Sequence, residues 1–185
     1  GGVDYYCTDT PVIHMFQQWM PTSQTYTDAT ATYALQGGGL GWACNFLDYD
    51  NDGWQDLHVV QGGSANLMFQ NPRQPAAAGI SWPERAAALG LDVAYDQNTT
   101  AVADFDDDGR LDLLDFYGIW WPPAPDGVSL MHNQVPGGNW LKFRTQGTVS
   151  NRDGLGARIE VCCGSVTQRQ WVRSGTGFHS CSDRR

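Results

Sequence analysis

The sequence predicts a mostly β protein of repeated, blade-like units that form an incomplete propeller, followed by a small separate β module. Three observations carry this reading. Helical periodicity is scarce along the 185 residues. Short apolar runs, such as LHVVQGG at 57 to 63 and LDLLDFYGIWW at 111 to 121, are cut at short intervals by glycine, proline and asparagine. The segment DYDNDGWQDL, which begins at Asp48, recurs as DFDDDGRLDL from Asp104, and repetition with a period of 56 residues suggests blades or stacked β units.

In chain order, residues 1–36 form an N-terminal segment in which a degenerate repeat is an open alternative. Residues 37–136 hold the two clear repeats. Each aspartate segment follows an alanine-rich stretch with a glycine-leucine step, TDATATYALQGGGLGWACNFLDYD against SWPERAAALGLDVAYDQNTTAVADFD, and each precedes a strand-like run. One short helix is expected near 82–89, where Ser81 can cap, Pro83 fits the first turn, Glu84 closes a capping box and Gly90 ends the helix. Residues 137–185 change character after Gly137-Gly138. WLKFRT, ARIEVCC and RQWVRS read as three alternating runs joined by turns, with no acidic cluster.

The net charge of -9 arises from only 17% charged residues. Lys142 is the sole lysine, Glu84 and Glu160 are the only glutamates, and aspartate supplies the rest of the acidity. Such a surface repels nucleic acid and anionic membrane. Four aspartates in the first repeated segment and five in the second concentrate the charge where a cation neutralises it. No apolar run of about 18 residues occurs, so no membrane span is expected. The opening GGVDYYCTDT lacks the basic-then-apolar layout of a signal peptide, which fits a mature or trimmed form.

Cys7, Cys44, Cys162, Cys163 and Cys181 include no C-x-x-C pair and no histidine at zinc-finger spacing. Disulfides in an oxidising compartment are expected, and because five is odd at least one cysteine remains free or pairs outside the chain. Adjacent Cys162 and Cys163 point to opposite faces if they lie on a strand.

The aspartates occupy positions 1, 3, 5 and 9 of each loop around a glycine at position 6. These are Asp48, Asp50, Asp52 and Asp56 around Gly53, and Asp104, Asp106, Asp108 and Asp112 around Gly109. The spacing turns carboxylate oxygens towards one point, and the carbonyl of Trp54 or Arg110 at position 7 adds a further donor. Calcium takes roughly six to eight oxygen ligands in flexible geometry, whereas magnesium keeps more of its waters. An ion that cancels the charge explains why the sequence tolerates the repulsion. The bland alternative is an acidic surface turn. A catalytic acid and base pair is disfavoured, because side chains converging on one ion do not separate into two roles. An EF-hand puts a glutamate at position 12, where this chain has Val59 and Asp115. Dockerin-type loops match only the second copy.

FLDYDNDGWQDLHVV and AVADFDDDGRLDLL resemble the calcium loops of FG-GAP repeats, of the related VCBS type, found in integrin-α-like β-propellers. GTVSNRDGLGARIEV and VRSGTGFHSCSDRR resemble the ASPIC/UnbV module that follows such repeats in the cartilage acidic protein family. The resemblance implies two Ca2+ sites, with ligands at the eight aspartates above and carbonyl donors at Trp54 and Arg110. Two loops do not close a propeller, which takes about four to eight blades, and the apolar strand that usually ends the family's last module is missing. An open sheet edge needs cover. Either the chain is a fragment, or a neighbouring subunit supplies that cover head to tail, which propagates into a filament.

Asn98-Thr99-Thr100 is an N-glycosylation sequon, expected at a surface position. His14, His58, His132 and His179 are scattered and read as structural or surface residues. Ser174, Ser180 and Ser182 lack a nucleophile elbow. Trp120-Trp121-Pro122-Pro123 reads as a subunit contact before a glycan platform. No catalytic residue is identified. The expectation is an extracellular or cell-surface calcium-binding structural or adhesive protein, with self-association or a protein partner. The alternatives are a secreted calcium-dependent carbohydrate-active enzyme and a fragment of a larger adhesin or receptor ectodomain.

Overall fold

A computed structural model describes residues 3–8, 14–73, 80–93, 96–118, 126–136, 139–164 and 166–175. Strands β1 (Tyr5–Cys7), β2 (Met15–Met20) and β3 (Thr25–Asp28) form a first antiparallel sheet. Helix α1 (Thr30–Tyr33) leads to a second sheet of β4 (Leu40–Leu47), β5 (Asp56–Gly62) and β6 (Leu67–Phe69). Helix α2 (Ala86–Leu89) leads to a third, of β7 (Gln97–Ala103), β8 (Asp112–Tyr117) and β9 (Gly127–Met131). A hairpin of β10 (Arg158–Cys163) and β11 (Val166–Trp171) follows. The protein is mostly β, and among the described residues no barrel closes. No described helix is long and apolar enough to cross a membrane.

Register sorts the side chains. Directly opposed residues of an antiparallel pair share a face, and neighbours along a strand alternate. In the second sheet Cys44, Val59 and Leu67 therefore share one face with Phe46, Leu57 and Phe69, whereas Asn45, His58 and Met68 share the other. The first face packs on the first sheet, where Leu57, Val59 and Phe69 meet Tyr6, Phe16, Tyr33 and Leu35. The opposite face packs on the third sheet, where Leu47 and Met68 meet Val102 and Leu113. The three sheets thus stack in chain order, and β5 is buried along its whole length because it is the central strand of the central sheet.

Leu57 is fully buried between the first and second sheets. Leu57→Ala removes its packing and leaves a cavity that the two covered sheets close only in part, which costs about 2–5 kcal/mol. Urea unfolding of the variant checks this. A loss below about 1 kcal/mol would mean that the stack does not hold this side chain as described.

The repeat extends into the helices. Leu35 N–H donates to Thr30 O at 2.9 Å, and 56 residues later Leu91 N–H donates to Ala86 O at 2.8 Å. Ala34 and Gly90 end the two helices in the left-handed region, at φ 55° and 71°. Gly90 therefore acts as expected, but α2 starts later than its capping signals predict. Gln70 N–H donates to Pro83 O, Arg85 N–H donates to Met68 O, and Glu84 pairs with Phe69. The edge of β6 draws residues 83–85 into pairing with it, and these ladder bonds outweigh a short first turn. Glu84 accepts from Ala86 N–H and Met68 N–H, so it joins the helix start to the sheet. Helix α1 has no counterpart among the expectations, because a four-residue helix shows no periodicity.

Two further expectations are corrected. The run WLKFRT forms no strand; Leu141 is 71% exposed, and Lys142 is drawn to the second aspartate loop by charge. Cys7, Cys44, Cys162 and Cys163 are free thiols rather than disulfides, and Cys181 lies outside the described residues. Cys44 faces the first sheet with its thiol donating to Tyr6 O, and burial pushes that thiol up to about 11. Cys162 and Cys163 alternate faces along β10 and are both exposed.

Candidate metal centre

The two aspartate loops join β4 to β5 and β7 to β8. Their backbones turn alike. Asn51 and Asp107 lie in the left-handed region at φ 54° and 57°, and Gly53 and Gly109 follow at 89° and 85°. Asparagine and aspartate tolerate that region better than other side chains, and glycine enters it freely. The sequence NDG and DDG thus encodes the same turn twice.

This turn aims backbone donors at the carboxylates. Asp48 accepts from Asp52 N–H at 2.9 Å and Gly53 N–H at 2.8 Å, as Asp104 accepts from Asp108 N–H at 3.0 Å and Gly109 N–H at 3.2 Å. Trp54 N–H donates to Asp52 at 2.7 Å, as Arg110 N–H donates to Asp108 at 2.9 Å. Asp56 accepts from Tyr49 N–H and Asn71 N–H, as Asp112 accepts from Phe105 N–H and Asn133 N–H. The hydrogen-bond scheme is the same in both copies.

Asn71 and Asn133 escaped the sequence reading. The signal is MFQN at 68–71 against LMHN at 130–133, displaced by 62 residues rather than 56 because the β8–β9 connection is longer. Each asparagine also donates its side-chain amide to a loop carbonyl, Gln55 O or Leu111 O. The loops are linked directly: Asn51 Nδ2 donates to Gly109 O at 2.9 Å, and Asn133 Nδ2 donates to Tyr49 O at 2.7 Å.

Oxygens of Asp48, Asp50 and Asp56 lie within 4.8 Å of one another, and so do oxygens of Asp104, Asp106 and Asp112. Asp50 Oδ1 is buried without a protein donor. Burial, opposed by the backbone N–H donors, pushes the Asp48 carboxyl up to about 6, and nearby Asp52 and Asp50 add to the rise. Asp56 is pushed up to about 8, again chiefly by burial. The first loop therefore holds its carboxylates together most readily with a proton or a cation between them. An all-oxygen, anionic donor set of this kind suits a hard cation.

The remaining loop residues face cationic side chains. Asp52 is held by Arg73, whose guanidinium also lies 3.6 Å from Asp50. Asp108 is paired with Arg110, and Lys142 reaches Asp107 and, at 3.5 Å, Asp104. His132, read from sequence as structural or surface, places its ring nitrogens 3.4 Å from Asp106 and 3.6 Å from Asp108. It stands where Gln70, which donates to Asp50, stands in the first repeat. A pair with one exposed partner, such as Arg73 with Asp52, contributes about 0–1 kcal/mol.

Asn98 sits at a bulge in β7, half-buried, and its Nδ2 donates to Gly118 O at 2.8 Å, so a glycan on that nitrogen displaces the bond. Trp120 to Pro123, His179, Ser180 and Ser182 lie outside the described residues. His14 and His58 are buried in the stack.

The family described as ASPIC and UnbV matches residues 147–185, a stretch that contains β10 and β11. No curated protein matches the chain.

Proposed function

We propose that the protein is a calcium-binding structural or adhesive element working outside the cell or at its surface, with loops of the FG-GAP/VCBS type as in cartilage acidic protein-like chains. The observation that carries this reading is the twice-repeated bonding scheme that gathers three carboxylates in each loop and leaves Asp50 Oδ1 buried without a donor. Asp48, Asp50 and Asp56 would hold one Ca2+ and Asp104, Asp106 and Asp112 the other, with Asp52, Asp108 and the carbonyls of Trp54 and Arg110 completing each shell. The bound ion supplies charge neutralisation that ties the β4–β5 and β7–β8 connections shut. The carboxylates of each loop converge on one point, which suits one ion and not a separated acid and base. Extracellular calcium modules work with dissociation constants of roughly 0.1–1 mM. Isothermal titration with CaCl2 tests the reading. Two sites, with weaker binding of magnesium, are expected; no heat of binding would overturn it.

Proton competition gives a second check. The unfolded chain ionises Asp48 and Asp56 at about pH 4, whereas the folded, metal-free chain holds protons on them up to about 6 and 8. The folded state then binds more protons than the unfolded one, so metal-free stability falls as pH rises from about 4 to 8. Calcium needs the ionised form, so its affinity at the first loop is expected to rise over pH 6 to 8, with about one proton released at pH 7. Titrations in buffers of different ionisation enthalpy measure that proton. An affinity independent of pH in this range would contradict the burial of these carboxyls.

A further inference from the structure

We infer that the outer face of the third sheet docks a second copy of this chain, head to tail, against the outer face of that copy's first sheet. The inference deepens the structural reading above and rests on it for its biological sense, but its observations are independent of calcium.

Register supplies the first observation. Leu113 opposes Met131 as Leu57 opposes Phe69. Leu114, Phe116 and Leu130 therefore stand where His58, Val60 and Met68 stand one repeat earlier. The earlier three are 0%, 0% and 1% exposed, because the third sheet lies on them. Two of their equivalents are left open, Phe116 at 38% exposed and Leu130 at 56%, as is Val128, opposite Phe116, at 54%, while Leu114 is half-buried. The open face is also the more apolar of the two, since leucine replaces histidine at position 114. A face built in stacking register and left uncovered marks an interaction surface.

The other end of the stack supplies the second. In the first sheet Tyr6 and Phe16 point to the second sheet, so alternation turns Tyr5, Trp19 and Tyr26 away from it. Tyr26 stacks edge-on against both others, with ring centroids 5.0 Å from Tyr5 and 5.1 Å from Trp19. Tyr5 and Tyr26 are 46% and 42% exposed. Within the chain each sheet is covered by the next one in order, and joining the last sheet of one copy to the first of another continues that packing. The two faces differ, so the contact is heterologous, and it propagates unless the rotation from copy to copy closes a ring.

The test uses the full chain, in calcium and in EGTA, with size-exclusion chromatography coupled to light scattering across concentration. The mass of the wild type is expected to climb in multiples of one chain. Phe116→Asp on one face and Tyr26→Asp on the other should each lose association when alone, yet form a two-chain species when mixed, since one intact face of each kind remains. Val128→Lys carries the same test if Phe116→Asp fails to fold by circular dichroism. A wild type that stays monomeric, or a Tyr26→Asp variant that still self-associates through a symmetric contact, overturns the proposal. Calcium titration of the same samples separates the two readings: binding without association removes only the docking surface, and association without binding removes only the calcium reading.

Discussion

Calcium added to the metal-free protein is expected to raise its thermal unfolding midpoint by roughly 10–20 °C. At a hundredfold excess over the dissociation constant, an ion that binds only the folded form adds about 2.7 kcal/mol per site. Two loops give about 5 kcal/mol, which is comparable with the whole stability of many domains. For a chain of this size each kcal/mol moves the midpoint by about 2–4 °C. The gain should localise, because the loops clasp the second and third sheets through Asn51 to Gly109 O and Asn133 to Tyr49 O. Calorimetry in EGTA and then in calcium reads the shift, and hydrogen exchange reads its location. Identical midpoints in the two conditions would remove calcium from the account of this fold.

Asp56→Ala is expected to destabilise the protein by about 2–6 kcal/mol even without metal, whereas Asp50→Asn leaves the metal-free protein within about 0.5 kcal/mol of wild type. Asp56 is fully buried and accepts from Tyr49 N–H at 3.2 Å and Asn71 N–H at 2.7 Å. Alanine leaves both donors without an acceptor, each at a cost of about 1–3 kcal/mol. Relief of burying a charge offsets little at pH 7, because burial already keeps this carboxyl largely protonated, with its titration near 8. Asp50 differs: its Oδ2 accepts from Gln70 Nε2 at 2.9 Å, a bond the asparagine oxygen also makes, its 3.6 Å pair with the exposed Arg73 guanidinium contributes little, and its Oδ1 has no donor to lose. Its effect belongs to the ion, so calcium affinity at the first loop should fall by at least about tenfold. Denaturation in EGTA followed by calcium titration compares the pair. Equal stabilities for the two variants would show that Asp56 does not organise the loop.

Both results turn on how local the information is. The left-handed turn of each loop is set by Asn51 and Gly53, or Asp107 and Gly109, and these lie within the ten residues that recur. Alternation made the strands legible for the same reason, since each strand carries its own period of two. The edges of elements were less legible. Residues 83–85 carry good helix-start signals and still pair with β6, because the competing partner lies more than a dozen residues away in sequence. WLKFRT alternates as a strand should, but it forms none.

The sequence alone determined the β class and the turn and aspartate spacing of the two acidic loops, because turn conformation and carboxylate spacing are short-range properties. Only the tertiary structure decided which carboxylates converge. Asp48, Asp50 and Asp56 come together, whereas Asp52 is held by Arg73, a residue reached through β6. It also brought Asn71, Asn133 and His132 to the loops, joined the two loops side by side, and left Phe116, Val128 and Leu130 open where their counterparts are covered. These arrangements depend on how separate sheets stack, and stacking is set by long-range burial that no local pattern encodes.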